Sequence, residues 1–288
     1  GSSFAPLLLG FGCSVPAILS TRRIETRSDR LVTIAVLPMM SCAGRLPIYM
    51  MFVSALFPSR LQAPVLFGIY ASGVLLALCC ARLLKNTLFK APQRDSLHHM
   101  KRLRLPSLRK VGILMWSRAF MYVRKAGTFI LGASIILWFL NTYPRPEEDT
   151  APTNAAAMEH SYAGQIGHWM EPVTQVAGFD WKINSALVGA FAAKEIFVTQ
   201  MGILYAVEDG NSGPAAQQTL NTRLKASYTP LQGISIMIFC LIALPCIGTV
   251  TVAKREAGTW WFALAQFGGL TLLGFATATL IYQAGLLL

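Results

Sequence analysis

Two short motifs place a cysteine beside a proline inside runs that carry no charge: Gly12-Cys13-Ser14-Val15-Pro16-Ala17 and Pro245-Cys246-Ile247-Gly248-Thr249. A thiol is a soft sulfur ligand suited to Fe(II), Zn or Cu. It is also a small, readily buried group that often does no more than pack. The prolines favour a function beyond packing. Proline removes a backbone donor and breaks a helix, and in hydrocarbon the freed carbonyls must be satisfied by protein or by a water-filled cavity. Broken helices at membrane depth are how transporters build ion sites. Cys13 and Cys246 are therefore candidate metal ligands, with Gly12, Pro16, Pro245 and Thr249 as candidate pathway residues around them.

A third motif, Lys194-Glu195, stands in the middle of an apolar run. A central charge there costs roughly 3 kcal/mol on insertion scales and normally faces a cavity or a partner. Neighbouring helical residues diverge by about 100°, so only one of the two points into the protein. Glu195 is the candidate third metal ligand; the alternative is a Lys194–Glu195 pair at a helix break or an interface. Met39, Met40, Ser41 and Cys42 precede Gly44-Arg45-Leu46-Pro47. Cys42 joins the candidate pathway, whereas the methionines read better as packing. Arg45 would repel a bare cation unless it pairs with an acid such as Glu195. His98, His99, His160 and His168 lack ligand spacing. No Walker-type loop, nucleophile elbow or zinc-protease pattern occurs.

The elements that position these residues follow from composition. Charged residues are 13% of the chain, against about 25% in soluble domains. Charge-free runs occupy residues 1–21, 31–44, 61–81, 126–144, 226–253 and 257–288, several of them longer than the roughly 20 residues a spanning helix needs. The expected fold is all-α: a polytopic helical membrane protein with broken or re-entrant helices and gate-type repeats. Residues 31–57 are punctured by Pro38, Gly44-Arg45 and Pro47 and read as two half-helices. Residues 63–84 and 126–143 read as clean spans.

The net charge of +12 collects largely between Arg82 and Lys125, as expected of a cytoplasmic loop rather than a nucleic-acid surface. Val111, Leu114, Met115, Arg118 and Tyr122 give that connector an amphipathic, membrane-surface helix. Docking of a soluble partner domain is the other reading. The loop after residue 143 is acidic, which places it outside. Full crossing by every segment would put Lys254-Arg255 outside as well, so one of 186–207 and 231–253 is re-entrant; the former is favoured. Six cysteines, all in or beside apolar runs, offer no disulfide framework. The chain opens on Gly1 with no signal-peptide pattern and reads as beginning partway through a larger membrane domain. Cys13 and Cys246 are both followed by a basic turn, Arg22-Arg23 and Lys254-Arg255, an echo that fits two structural repeats.

Five stretches resemble the C-terminal membrane half of the bacterial ferrous-iron transport protein B family: residues 9–18, Ser41-Cys42-Ala43-Gly44-Arg45-Leu46-Pro47-Ile48-Tyr49, Leu105-Pro106-Ser107-Leu108-Arg109, Ala193-Lys194-Glu195-Ile196-Phe197-Val198 and the Pro245–Thr249 motif. They occur in the family's order along nearly the whole chain. The resemblance implies a multi-pass Fe(II) importer of the bacterial inner membrane built on two gate repeats. The G-protein domain that binds GTP and Mg would lie outside this chain. Implied partners are the bilayer, that G-protein domain and small accessory iron-transport proteins, with room for a homo-oligomer. Residues 1–24 would end the first gate, 25–90 form a central segment, 91–125 the connector, and 126–288 the second gate and last span. The connector's Met100-Lys101-Arg102-Leu103-Arg104 departs from the family's acidic Leu-Pro-Pro pattern.

Three readings remain open at this point: Fe(II) permease, gate-type transporter of another divalent metal or a nucleoside-like solute, and membrane anchor or receptor for a soluble partner.

Overall fold

Three of the helices are started by hydrogen-bonding side chains. Ser161 accepts the Gly164 N–H at 3.2 Å and Asp180 accepts the Ile183 N–H at 2.9 Å. Thr229 and Gln232 form a reciprocal capping box, with Pro230 in the first turn, where its missing N–H costs nothing. A computed structural model describes residues 3–87, 107–144, 158–206 and 214–287, and among these every regular element is helical. Residues 91–106 of the connector, with His98 and His99, and residues 145–157 of the acidic loop lie outside the described residues.

The chain runs through α1 (Phe4–Gly10), α2 (Ser14–Ser20), α3 (Arg27–Val36), α4 (Leu46–Leu56), α5 (Ser59–Thr87) and α6 (Leu108–Thr142). It continues through α7 (Tyr162–Thr174), α8 (Trp181–Ala192), α9 (Lys194–Ala206), α10 (Pro214–Ser227), α11 (Pro230–Ile242), α12 (Ile247–Ala257) and α13 (Trp260–Leu287). Four pairs are single apolar segments interrupted partway: α1/α2, α3/α4, α8/α9 and α11/α12. The interruption expected in residues 31–57 is present as two short 3-10 turns, Leu37–Met39 and Ala43–Arg45. The segment 186–207 is broken as well, at Ala193. Its halves, of 12 and 13 residues, are each about 18–20 Å long and too short to cross a ~30 Å hydrocarbon core.

Among the described residues, four stretches are long and apolar enough to cross a membrane: Arg27–Leu56, Ser59–Thr87, Pro230–Ala257 and Trp260–Leu287. The two that contain breaks are 61% and 56% buried, whereas the two continuous ones are 17% and 11% buried. The broken segments thus form the centre, and the continuous helices α5 and α13 present their apolar surface outward, to lipid. The chain is a membrane protein. The core joins α4, α8, α9 and α11 through Tyr49, Phe52, Ile183, Phe197, Met201, Ile236 and Leu241, all fully or almost fully buried. Phe52 packs against Phe197 and edge-on to Tyr228, at 6.1 and 6.3 Å between ring centroids.

The helix α6 is continuous over 35 residues and crosses position 125/126 without interruption. Along it Val111 is half-buried and Met115 exposed; the side chains of Leu114, Arg118 and Tyr122 lie outside the described residues.

Candidate functional site

Each break frees a carbonyl, and three of these carbonyls have identified partners. Pro16 has no N–H to offer the Gly12 carbonyl one turn back, and the Ala43 N–H donates to it instead at 3.1 Å. Pro38 likewise withholds a donor from the Ile34 carbonyl. The buried Gln266 amide, from α13, donates to it at 2.7 Å and to Ala35 at 3.3 Å. At the last break Ala243 leaves helical geometry with ψ 168°, and its carbonyl accepts from Lys194 Nζ at 3.4 Å.

Pro16 does not itself occupy the break. It sits in the first turn of α2, where proline is tolerated, and the extended residue is Cys13, at φ −155° and ψ 134°. Pro245 does lie in the gap between α11 and α12, and the residue before it, Leu244, has φ 52°, a left-handed conformation that costs a non-glycine residue roughly 1–2 kcal/mol.

The breaks are neighbours. The Ala43 N–H bond joins the α3/α4 break to the α1/α2 break. A methyl group at Gly44 would lie 2.8 Å from Glu195 Oε1 and 3.6 Å from Lys194 Cβ, so the α8/α9 break abuts the same turn. The bond from Lys194 to Ala243 brings in the fourth. A methyl group at Gly248 would lie 3.6 Å from Val15, which puts the first turns of α2 and α12 together. At the other ends of those two helices Arg22 donates to Glu256 at 2.5–3.0 Å, and Arg30 adds a bond of 2.5 Å. The two half-helices therefore run parallel, joined by contact at their starts and by ion pairs at their ends.

Cys13 and Cys246 occupy matching positions in this arrangement, each the residue before its half-helix, and neither side chain caps the turn that follows. Both are half-buried. The Cys246 thiol lies 3.1 Å from the Thr249 hydroxyl. None of the six cysteines forms a disulfide. The positive ends of two helix dipoles face this region. Among the described residues no three His, Cys, Asp or Glu side chains form a preformed metal cluster.

Lys194 and Glu195 part company as adjacent helical residues must, and it is the lysine that turns inward. Lys194 is 5% exposed, whereas Glu195 is exposed, with its carboxylate over Gly44. The electrostatic neighbours of Lys194 are Arg45, Cys42, Cys240 and Cys246. Arg45, 2% exposed, donates to the Met40 carbonyl at 3.1 Å, and no Arg45–Glu195 ion pair forms among the described residues. Around it the buried Ser41 and Tyr49 hydroxyls are neighbours, and among the described residues Arg45 Nε is buried without a hydrogen-bond partner. Met39 and Met40 are buried core residues. The residues that sequence reasoning undervalued are thus Lys194 and Arg45, two buried cations at the breaks. Their signal was present, since each is a basic residue in an apolar segment.

Farther out, Asp180 accepts from the Tyr228 hydroxyl at 2.8 Å and Tyr228 from Tyr205 at 2.9 Å. Burial pushes the Asp180 carboxyl up, opposed by the Ile183 N–H and the Tyr228 hydroxyl. His168 touches Glu159 and Glu171 at 3.6 and 3.4 Å and stacks on Trp181. Both groups gather near the start of α8 rather than at the breaks.

Comparison with known proteins fits this geometry. A gate family described as nucleoside recognition matches residues 1–56 and 123–260, and the family of the ferrous iron transport protein B C terminus matches residues 66–118. The chain belongs to the ferrous-iron transport protein B family. The Fe(2+) transporter FeoB of Campylobacter jejuni is 39% identical across 93% of this chain and 44% of its own length. An Fe(2+) transport protein A/Fe(2+) transporter FeoB fusion protein of Porphyromonas gingivalis is 36% identical across all of this chain and 38% of its own. The FeoB of Staphylococcus aureus is 34% identical across 99% and 41%. The chain therefore spans about two fifths of the length of these curated relatives. No solved structure matches it. Within the ferrous-iron transport protein B family, the gate match covers all four breaks, and the C-terminus match covers most of α5 and the start of α6.

Proposed function

We propose that this chain forms the permeation region of a multi-pass Fe(II) importer of the bacterial inner membrane. The observation that carries the reading is the meeting of four broken segments at one place, with Cys13, Cys42 and Cys246 on the breaks and Glu195 beside them. A divalent ion leaving water needs its hydration replaced by ligands. Thiols and unwound carbonyls offer that to a borderline-soft ion such as Fe(II). Cys13 and Cys246 line the path, Glu195 supplies negative charge where the ion loses water, and Gly12, Pro16, Pro245 and Thr249 shape the two cysteine positions. Residues 1–24 and 126–288 carry the two gates. In the whole protein a GTP- and Mg-binding domain outside this chain governs the gate, and small accessory iron-transport proteins and self-association act on the same assembly.

The gate match carries the description of nucleoside recognition, which keeps a nucleoside-like cargo as the second reading. A nucleoside site wants an apolar cavity with aromatic faces and a few polar groups. Thiols and loose backbone at the breaks favour a small ion instead. The test is Fe(II) uptake into proteoliposomes of the whole protein under reducing conditions, with Mn(II), Co(II) and uridine as competitors. Competition by the metals and none by uridine is expected; inhibition by uridine alone would replace the metal reading. In the same assay Glu195→Gln should lower uptake at least tenfold at matched insertion, and normal uptake would remove Glu195 from the path.

A further inference from the structure

The carbonyls freed at the breaks are satisfied in chemically different ways. Gly12 is satisfied by a backbone N–H and Ile34 by a neutral amide, both at ordinary hydrogen-bond distance. Ala243 is satisfied by an ammonium group at the long end of that range, 3.4 Å. Lys194 makes no ion pair with a carboxylate among the described residues, although it is 5% exposed and shares its surroundings with a second buried cation, Arg45. A buried charge without an opposite partner is costly, so its retention there calls for a reason. The last break supplies one: the unwound Ala243 carbonyl that Lys194 holds lies three positions from the Cys246 thiol, and carbonyl and thiol are the donor types a cation would use.

We propose that Lys194 is a tethered resident cation, holding the Ala243–Cys246 position of the last break between cargo ions and displaced when Fe(II) arrives. The inference rests on the Fe(II) permease reading. Two cations cannot share one carbonyl and thiol position, so occupancy by lysine and by the ion is mutually exclusive. Lysine is suited to this role, being a compact point charge on a flexible four-carbon stem. Here it is rooted on the first residue of α9, directly after the Ala193 break, where the stem can swing. Arg45 is anchored to Met40 and stays in place. A resident cation keeps the break occupied when no ion is present and sets the affinity that an entering ion must exceed. Lys194 is thus a determinant of affinity and release rather than a ligand.

The test uses the whole protein, anaerobic and reduced, with Co(II) as the binding probe because thiol ligation gives it a charge-transfer absorption. Wild type, Lys194→Met and Lys194→Arg are titrated, and Fe(II) uptake is measured in parallel. Lys194→Met should bind Co(II) at least tenfold more tightly, lower the KM for uptake and reduce turnover, because the ion is no longer displaced from the break. Lys194→Arg, with its charge retained, should bind no more tightly than wild type. Wild-type affinity or weaker in Lys194→Met overturns the proposal even if uptake is normal. If Lys194→Met does not fold, a Lys194→Arg protein that binds Co(II) more tightly than wild type overturns it, and one that binds more weakly supports it. Tighter Co(II) binding in Lys194→Met by a protein that takes up no Fe(II) would leave the tethered cation standing and remove the transport reading. No Co(II) binding by wild type or Lys194→Met would remove both.

Discussion

The first and last breaks are built on the same plan and completed differently. Both place a cysteine immediately before a half-helix, and those half-helices, α2 and α12, lie parallel and in contact. At the first break the backbone is relaxed, the proline sits inside the following turn, and the loose carbonyl is closed by a backbone N–H. At the last, the proline lies in the gap, Leu244 takes a left-handed conformation, and the carbonyl is held by a buried lysine. Backbone strain and a buried cation with no carboxylate partner among the described residues are both features a fold tolerates where function requires them. On the proposed permease reading, the first break is a fixed wall and the last one the side on which occupancy changes.

Two substitutions sharpen that contrast. The larger effect belongs to Gly44, which spaces the α3/α4 turn from the Glu195 carboxylate. Gly44→Ala forces that carboxylate to shift from a 2.8 Å encounter and should lower Fe(II) uptake about tenfold, the worth of roughly 1.4 kcal/mol. The matching change on the cysteine side, Gly248→Ala, meets nothing nearer than 3.6 Å and should leave uptake within about twofold. Equal losses at both positions would mean that general crowding, and not Glu195, explains the result.

A smaller effect is expected at the shared end of the two half-helices. The Glu256 carboxylate is 3% exposed and is held by Arg22 and Arg30, which are 53% and 28% exposed. Charge-assisted bonds to a buried acceptor are worth more than surface pairs, but solvent screens the Arg22 half. Glu256→Gln should cost about 1–2 kcal/mol of stability, read by thermal unfolding in detergent, with uptake per folded molecule reduced severalfold. Full stability with normal uptake would show that α2 and α12 do not depend on this tie to stay parallel.

Much of this was legible in the chain. Pro and Gly in charge-free runs announced the breaks at Gly12–Cys13, at Pro38 through Arg45 and at Pro245, because nothing else explains a lost donor at membrane depth. The Ala193 break carries no such local signal; only the charge balance of the loops pointed to it, and packing makes it. Which of Lys194 and Glu195 turns inward was not readable either. Adjacent residues offer opposite faces, and the choice depends on where Gly44 and Ala243 come to rest. The role of Gln266 was equally hidden, since its partner Ile34 lies 232 positions away. The continuity of α6 through Gly112, Gly127 and Gly132 shows the reverse case, a helix carried past isolated glycines that need not interrupt it.

The central claim is that the two cysteine positions line one ion path. It is tested most directly by Fe(II) uptake into proteoliposomes of the whole protein carrying Cys13→Ser, Cys246→Ser or both, under reducing conditions with insertion and protein level matched. The account predicts that each single change lowers uptake severalfold and that the double change reduces it to background. Uptake that survives the double change at the wild-type rate would contradict it, leaving both cysteines as packing residues.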